Sequence, residues 1–73
     1  MSGDKVYVVN EGTLVIRTGV LVKGLEHNMC VVAHGATHEV YAEKVVFFSY
    51  IVAEDYMQHI MRKQKQNLIA SIA

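Results

Sequence analysis

The chain has no proline, no tryptophan and a single cysteine, and its 7 basic residues balance its 7 acidic ones. Without proline no turn is locked and no strand is barred from pairing. Cys30 alone cannot close an internal disulfide, which excludes a secreted disulfide scaffold and fits a reduced compartment. Zero net charge argues against a dedicated DNA binder, which needs a basic face to release counterions. No apolar run approaches about 18 residues, and Met1–Lys5 hold no signal-peptide core. The expectation is a soluble, cytoplasmic protein.

What is present is 73 residues, 52% of them hydrophobic. That length makes one domain, burying only about 60% of its unfolded surface. Its apolar surplus favours a partner or self-association. The balanced charge is unevenly placed. Residues 1–48 carry Lys5, Arg17, Lys23 and Lys44 against Asp4, Glu11, Glu26, Glu39 and Glu43, a net of −1. Residues 49–73 carry Arg62, Lys63 and Lys65 against Glu54 and Asp55, a net of +1.

From Lys5 to Phe48 the chain is a string of β-branched and aromatic runs separated by glycine-bearing turns. Lys5–Asn10 reads as a first strand with Val6 and Val8 on one face. Asn10-Glu11-Gly12 reads as a turn in which Gly12 takes positive φ. Thr13–Lys23 is the longest strand. The set Leu14, Ile16, Thr18, Val20 and Val22 is its more apolar face and the expected core face. Gly19, in mid-strand, marks a bulge or a bend. Gly24–Asn28 is a second turn and Met29–His34 a third strand. Gly35-Ala36-Thr37 is a hairpin turn, His38–Tyr41 a fourth strand, Ala42-Glu43-Lys44 a helical turn and Val45–Phe48 a fifth strand.

Ser49 is placed to cap a helix over residues 50–73. Tyr50, Ala53, Met57, Ile60 and Met61 recur at its three- and four-residue spacing. Acids at its start and bases near its end suit the macrodipole. Arg62–Asn67 is polar all round, so the helix is expected to leave the strands or fray there. Leu68, Ile69 and Ile72 restore an apolar stripe. The expected fold is mainly β with one C-terminal helix: residues 1–49 form a small five-stranded antiparallel barrel and residues 50–73 the helix.

Little here carries catalysis. The glycines punctuate turns rather than cradle phosphate. Cys30 lies beside Val31 and Val32, and apolar burial raises a thiol pKa instead of activating it. Adjacent charged residues, Glu43 beside Lys44 or Glu54 beside Asp55, point in different directions. Cys30, His34 and His38 could offer three zinc ligands if the histidines face each other across the hairpin, with His27 or Glu39 as a fourth. The paired cysteines of zinc sites are missing, and surface hairpin histidines are the simpler reading. No metal or cofactor is expected. Arg62, Lys63 and Lys65 could meet nucleic acid or an acidic protein face, and the neutral balance elsewhere favours the protein. Tyr7 and Tyr41 carry polar tips suited to a binding surface, and Tyr56 adds to them from the helix. With Arg17, Lys23 and Lys44 from the strands, these are the candidate binding residues.

Asp4-Lys5-Val6-Tyr7-Val8, Thr18-Gly19-Val20-Leu21-Val22, Cys30-Val31-Val32-Ala33-His34-Gly35 and Glu39–Phe48 together resemble the Src-homology-three-like small barrel in its Tudor and KOW variety. The helix is a departure from the minimal barrel. The resemblance implies a fold but no single function, because such barrels bind peptides, RNA, DNA or other domains. Length and architecture also resemble small lytic-phage regulators that bind host RNA polymerase. That resemblance implies a non-enzymatic, protein-binding regulator that inhibits initiation or promotes antitermination in the host cytoplasm, as a monomer or weak homo-oligomer. The alternatives are an RNA- or DNA-binding barrel and a structural assembly subunit.

Overall fold

The computed structural model describes residues 3–72, with side chains given for residues 3–65. Four strands run in a meander: β1 (Asp4–Asn10), β2 (Val15–Leu25), β3 (Met29–His34) and β4 (Thr37–Ala42). A 3-10 turn over Glu43–Val45 leads into a two-residue strand, β5 (Val46–Phe47), and then helix α1 (Tyr50–Ile72). All pairings are antiparallel, in the order β4-β3-β2-β1-β5. The Leu68, Ile69 and Ile72 stripe lies outside the described side chains.

The turns are made by asparagine more than by glycine. After β1, the Asn10 side-chain oxygen accepts from the Gly12 and Thr13 amides at 2.9 and 3.1 Å. Its carbonyl accepts from Leu14 at 2.7 Å, and Leu14, not Gly12, takes the positive φ. Asn10 thus acts through an Asx-type turn that frees Gly12 of that task. Between β2 and β3, His27 and Asn28 both have positive φ, where asparagine is tolerated because its short amide bonds locally.

β1 supplies the centre of the sheet. Val6 and Val8 join Cys30, Val32 and Val45 in one buried cluster, with Leu21, Tyr41, Val46 and Tyr56 against it. Val6 and Val32 are wholly buried, worth about 1.5–3 kcal/mol each. The register of β1 with β2 sets Val6 opposite Gly19 and Val8 opposite Arg17. Directly paired residues share a face, so the inward face of β2 is Arg17, Gly19 and Leu21. The more apolar set expected to be core faces the other way, and Val20 is 41% exposed. The reason is steric. At Gly19 the inward side of β2 lies close against Val32 and Ala33 of β3, so that position must be small. A Cβ at Gly19 would lie 2.5 Å from Val32 Cγ1 and 2.9 Å from the Ala33 carbonyl oxygen. The register irregularity sits between Leu21 and Lys23 instead of at Gly19.

The expected closed barrel does not form: the sheet is open. β5 reaches β1 only through Tyr7–Phe47 and Val8–Val46, and among the described residues nothing pairs with the outer edge of β4. Val45 is consumed by the 3-10 turn and Phe48 turns out to solvent at 66% exposure, so too little strand remains to bridge the gap.

The other face of β1 is covered by α1. Tyr7 meets Tyr50 edge-on at 5.6 Å, and Phe47 lies 5.2 Å from the Tyr56 ring. The Ala53 amide donates to the Ser49 carbonyl oxygen at 3.0 Å, and Ala53 is wholly buried. The backbone stays helical through residues 62–67, since Arg, Lys and Gln are strong helix formers whatever their polarity. The expected match of charge to the macrodipole is therefore absent. Neither the first nor the last turn carries a helpful charge, and Arg62, Lys63 and Lys65 fall in mid-helix.

Candidate functional site

Strand alternation sets Glu39 and Tyr41 on the inward face of β4, and Arg17 on the inward face of β2 meets them. Arg17 Nη1 donates to Glu39 Oε2 at 3.0 Å, with both side chains nearly half exposed. The Tyr41 hydroxyl donates to the same carboxylate oxygen. His34, 7% exposed, completes the cluster. Its Nδ1–H faces the Thr18 carbonyl oxygen at 3.1 Å, and its Nε2 lies 2.8 Å from the Tyr41 hydroxyl. Burial first, then the bond and charge of Glu39, push the Tyr41 phenol up to about 12. The Tyr41 bond, helped by the Arg17 and His34 charges, holds the Glu39 carboxyl below its ordinary range.

A second tyrosine–carboxylate pair lies nearby. Tyr56 of α1 donates to Glu11 Oε2 at 2.5 Å, a bond that raises the phenol pKa. Between the pairs the sheet is open. A cleft of about 660 Å³ separates Glu39–Ala42 of β4 from Val8–Asn10 of β1, with Arg17 and Lys44 at its sides. A recess of about 500 Å³ adjoins it, walled by Tyr56, His59, Ile60 and Lys63 of the helix. Both are lined by Glu11 and Lys44, which makes them one groove.

Five of the nine candidate binding residues gather on this groove: Arg17, Tyr41, Lys44, Tyr56 and Lys63. The other four lie elsewhere. Tyr7 is half-buried under Tyr50, with the Lys5 ammonium 5.7 Å from its ring centre. Lys23 is exposed on β2, and Arg62 and Lys65 are exposed on the helix outside the groove lining.

From the sequence, Glu11 is only a turn residue and a surface charge, and Glu39 is weighed only as a metal ligand. The i, i+2 spacing of Glu39 and Tyr41 was a readable signal of a shared face. The contact of Glu11 with Tyr56, 45 positions away, had none.

The expected facing of His34 and His38 is corrected by one residue. The hairpin closes on Gly35-Ala36 alone, with Gly35 at φ 64°, so His34 pairs with Thr37 and His38 with Ala33. A one-residue slip sends the two rings to opposite faces. Among the described residues no three His, Cys, Asp or Glu side chains converge on a metal position. Cys30 is buried and its thiol is pushed up, by desolvation first and then by the Glu43 charge. Among the described residues no helix is long and apolar enough to cross a membrane.

No family model matches the chain, and no curated protein or solved structure was found to be similar to it.

Proposed function

We propose that the chain is a non-enzymatic protein-binding regulator built on an open relative of the Src-homology-three-like barrel. The strand order β4-β3-β2-β1-β5, with a 3-10 turn just before β5, supports the fold part of this reading. The groove carries the functional part. It combines an exposed strand edge with two tyrosines and an arginine, residue types that protein interfaces favour, and two lysines that can steer an acidic partner. Both acids in it are already held by tyrosine hydroxyls, so its cations are the charges on offer. Only Arg17 among them is paired; among the described residues Lys44 and Lys63 make no ion pair. Three cations beside two carboxylates make a weak attractor for a nucleic-acid backbone, which rewards a run of uncompensated positive charge.

The partner that the phage-regulator resemblance names is bacterial RNA polymerase, met in the host cytoplasm, with inhibition of initiation or antitermination as the outcome. An affinity pull-down of the full chain from bacterial lysate, read by mass spectrometry, tests this. Polymerase subunits should be captured, and the double reversal Lys44→Glu with Lys63→Glu should release them. Capture of unrelated proteins only, insensitive to the double reversal, ends the reading.

A further inference from the structure

We propose that the cleft between β4 and β1 takes an extended acidic peptide segment, added as a strand to the free edge of β4. This rests on the protein-binding reading above and names the form and charge of the partner.

Both walls of the cleft are strand edges with unspent backbone groups. β4 has β3 on one side and, among the described residues, no strand on the other over all six positions Thr37–Ala42. On the opposite wall, β1 outruns β5: its pairing with β5 stops at Val8, so Val9 and Asn10 have no strand on that side. An edge of this kind is a template for a further strand unless something blunts it. Of the usual blunting devices β4 has one, the inward-pointing charge of Glu39, and that charge is already engaged by Arg17 and Tyr41. The strand carries no proline and no lysine, its register with β3 runs without a bulge, and Val40 is 55% exposed. The four lining residues of β4 span about 13 Å of edge. The volume of about 660 Å³ is that of a binding cleft, not a packing flaw.

Charge decides the peptide's character. Glu39 is engaged by Tyr41 and Arg17, and Glu11 by Tyr56, so neither carboxylate attracts a cation strongly. Lys44 stands at the cleft with no ion pair among the described residues, and the guanidinium of Arg17 keeps donors beyond Nη1. An incoming strand with acidic side chains facing Lys44 and Arg17 gains charge pairing on top of its main-chain bonds, as in other strand-addition complexes. The chain's own segments match less well. β4 itself holds one acid, already bound, so a second copy pairing edge to edge through β4 would bring no free carboxylate on that strand.

The test pans a displayed library of fully randomised ten-residue peptides on the immobilised full chain. Enriched peptides should be acidic, rich in β-branched residues and poor in proline. The best of them should slow hydrogen exchange of the β4 amides, and the Lys44→Glu chain should bind it about tenfold more weakly. N-methylation of alternate peptide amides, which removes main-chain donors and keeps the side chains, should abolish binding. Three results overturn the proposal: no enrichment over bare resin, enrichment of basic or helical peptides, or protection away from β4. Protection of the β4 amides in the protein alone, rising with its concentration, also overturns it, because a second copy would then own the edge. If no peptide is enriched while the full chain still captures polymerase, this proposal falls and the protein-binding reading stands. A single-stranded RNA oligonucleotide that binds with a steep salt dependence removes both.

Discussion

The sheet and the helix of this chain use apolar residues in opposite ways. The strands and the 3-10 turn before β5 draw Val6, Val8, Cys30, Val32 and Val45 into one buried cluster. The helix spans 23 residues, and among its described side chains only one small one is completely buried, Ala53. It leaves Ile51 at 79% and Val52 at 51% exposed. The difference comes from geometry. A curled sheet surrounds its inner face on several sides, whereas a straight helix of about 35 Å touches a short strand pair with one stripe and overshoots it. The sheet therefore carries the stability. The helix adds a wall to the groove through Tyr56, His59, Ile60 and Lys63.

That contrast is broken most sharply at the closest approach inside the sheet. Gly19→Ala should destabilise by about 2–3 kcal/mol, because the backbone at Ala33 cannot yield to the new methyl group. Gly24→Ala, at a site with open space, should cost under about 0.5 kcal/mol. Denaturant unfolding of both variants checks the pair, and equal costs would show that β2 is not pinched there. Next in size is the buried contact of the helix at Ala53. Ala53→Leu overfills the seam with the sheet and should cost about 1–2 kcal/mol, read as a lower denaturation midpoint.

The concave polar cluster makes a pH-dependent prediction. The Tyr41 phenol is raised from 10.0 to about 12 in the folded chain. Its contribution is fully present below the unfolded pKa and is lost as pH rises between about 10 and about 12, where the unfolded chain gives up the proton and the folded one keeps it. After allowance for solvent screening of this partly exposed group, the loss is about 1 kcal/mol. Stability measured across that interval should fall less steeply in Tyr41→Phe, and identical slopes would remove the coupling to Glu39. The smallest effect is expected on the outer helix face. Ile51→Asn should change stability by less than about 0.5 kcal/mol, which thermal unfolding can verify. A large loss there would mean that a partner or a second copy covers the residue.

The strands were legible because β-branched runs between turn residues leave few alternatives, and β3 starts and ends where its sequence pattern does. The faces of β2 were not. Counting apolar residues chose the set containing Val20, while the core chose the set containing Gly19, because close approach rewards the smallest side chain rather than the greasiest. The register of the β3–β4 hairpin escaped in the same way: a loop one residue shorter than expected moved His38 to the far face.

By itself the sequence determined the element order, the division into strands and one C-terminal helix, and the residue types from which a binding surface could be drawn. Those follow from local preferences, which act within a few positions along the chain. Only the tertiary structure decided that the sheet stays open, and that Arg17, Tyr41, Lys44, Tyr56 and Lys63 share a groove while Tyr7, Lys23, Arg62 and Lys65 stand apart. The cause is that β5 has too few residues to span the gap, and that Glu11 meets Tyr56 across 45 positions. Both are outcomes of packing between distant segments, which no local pattern encodes.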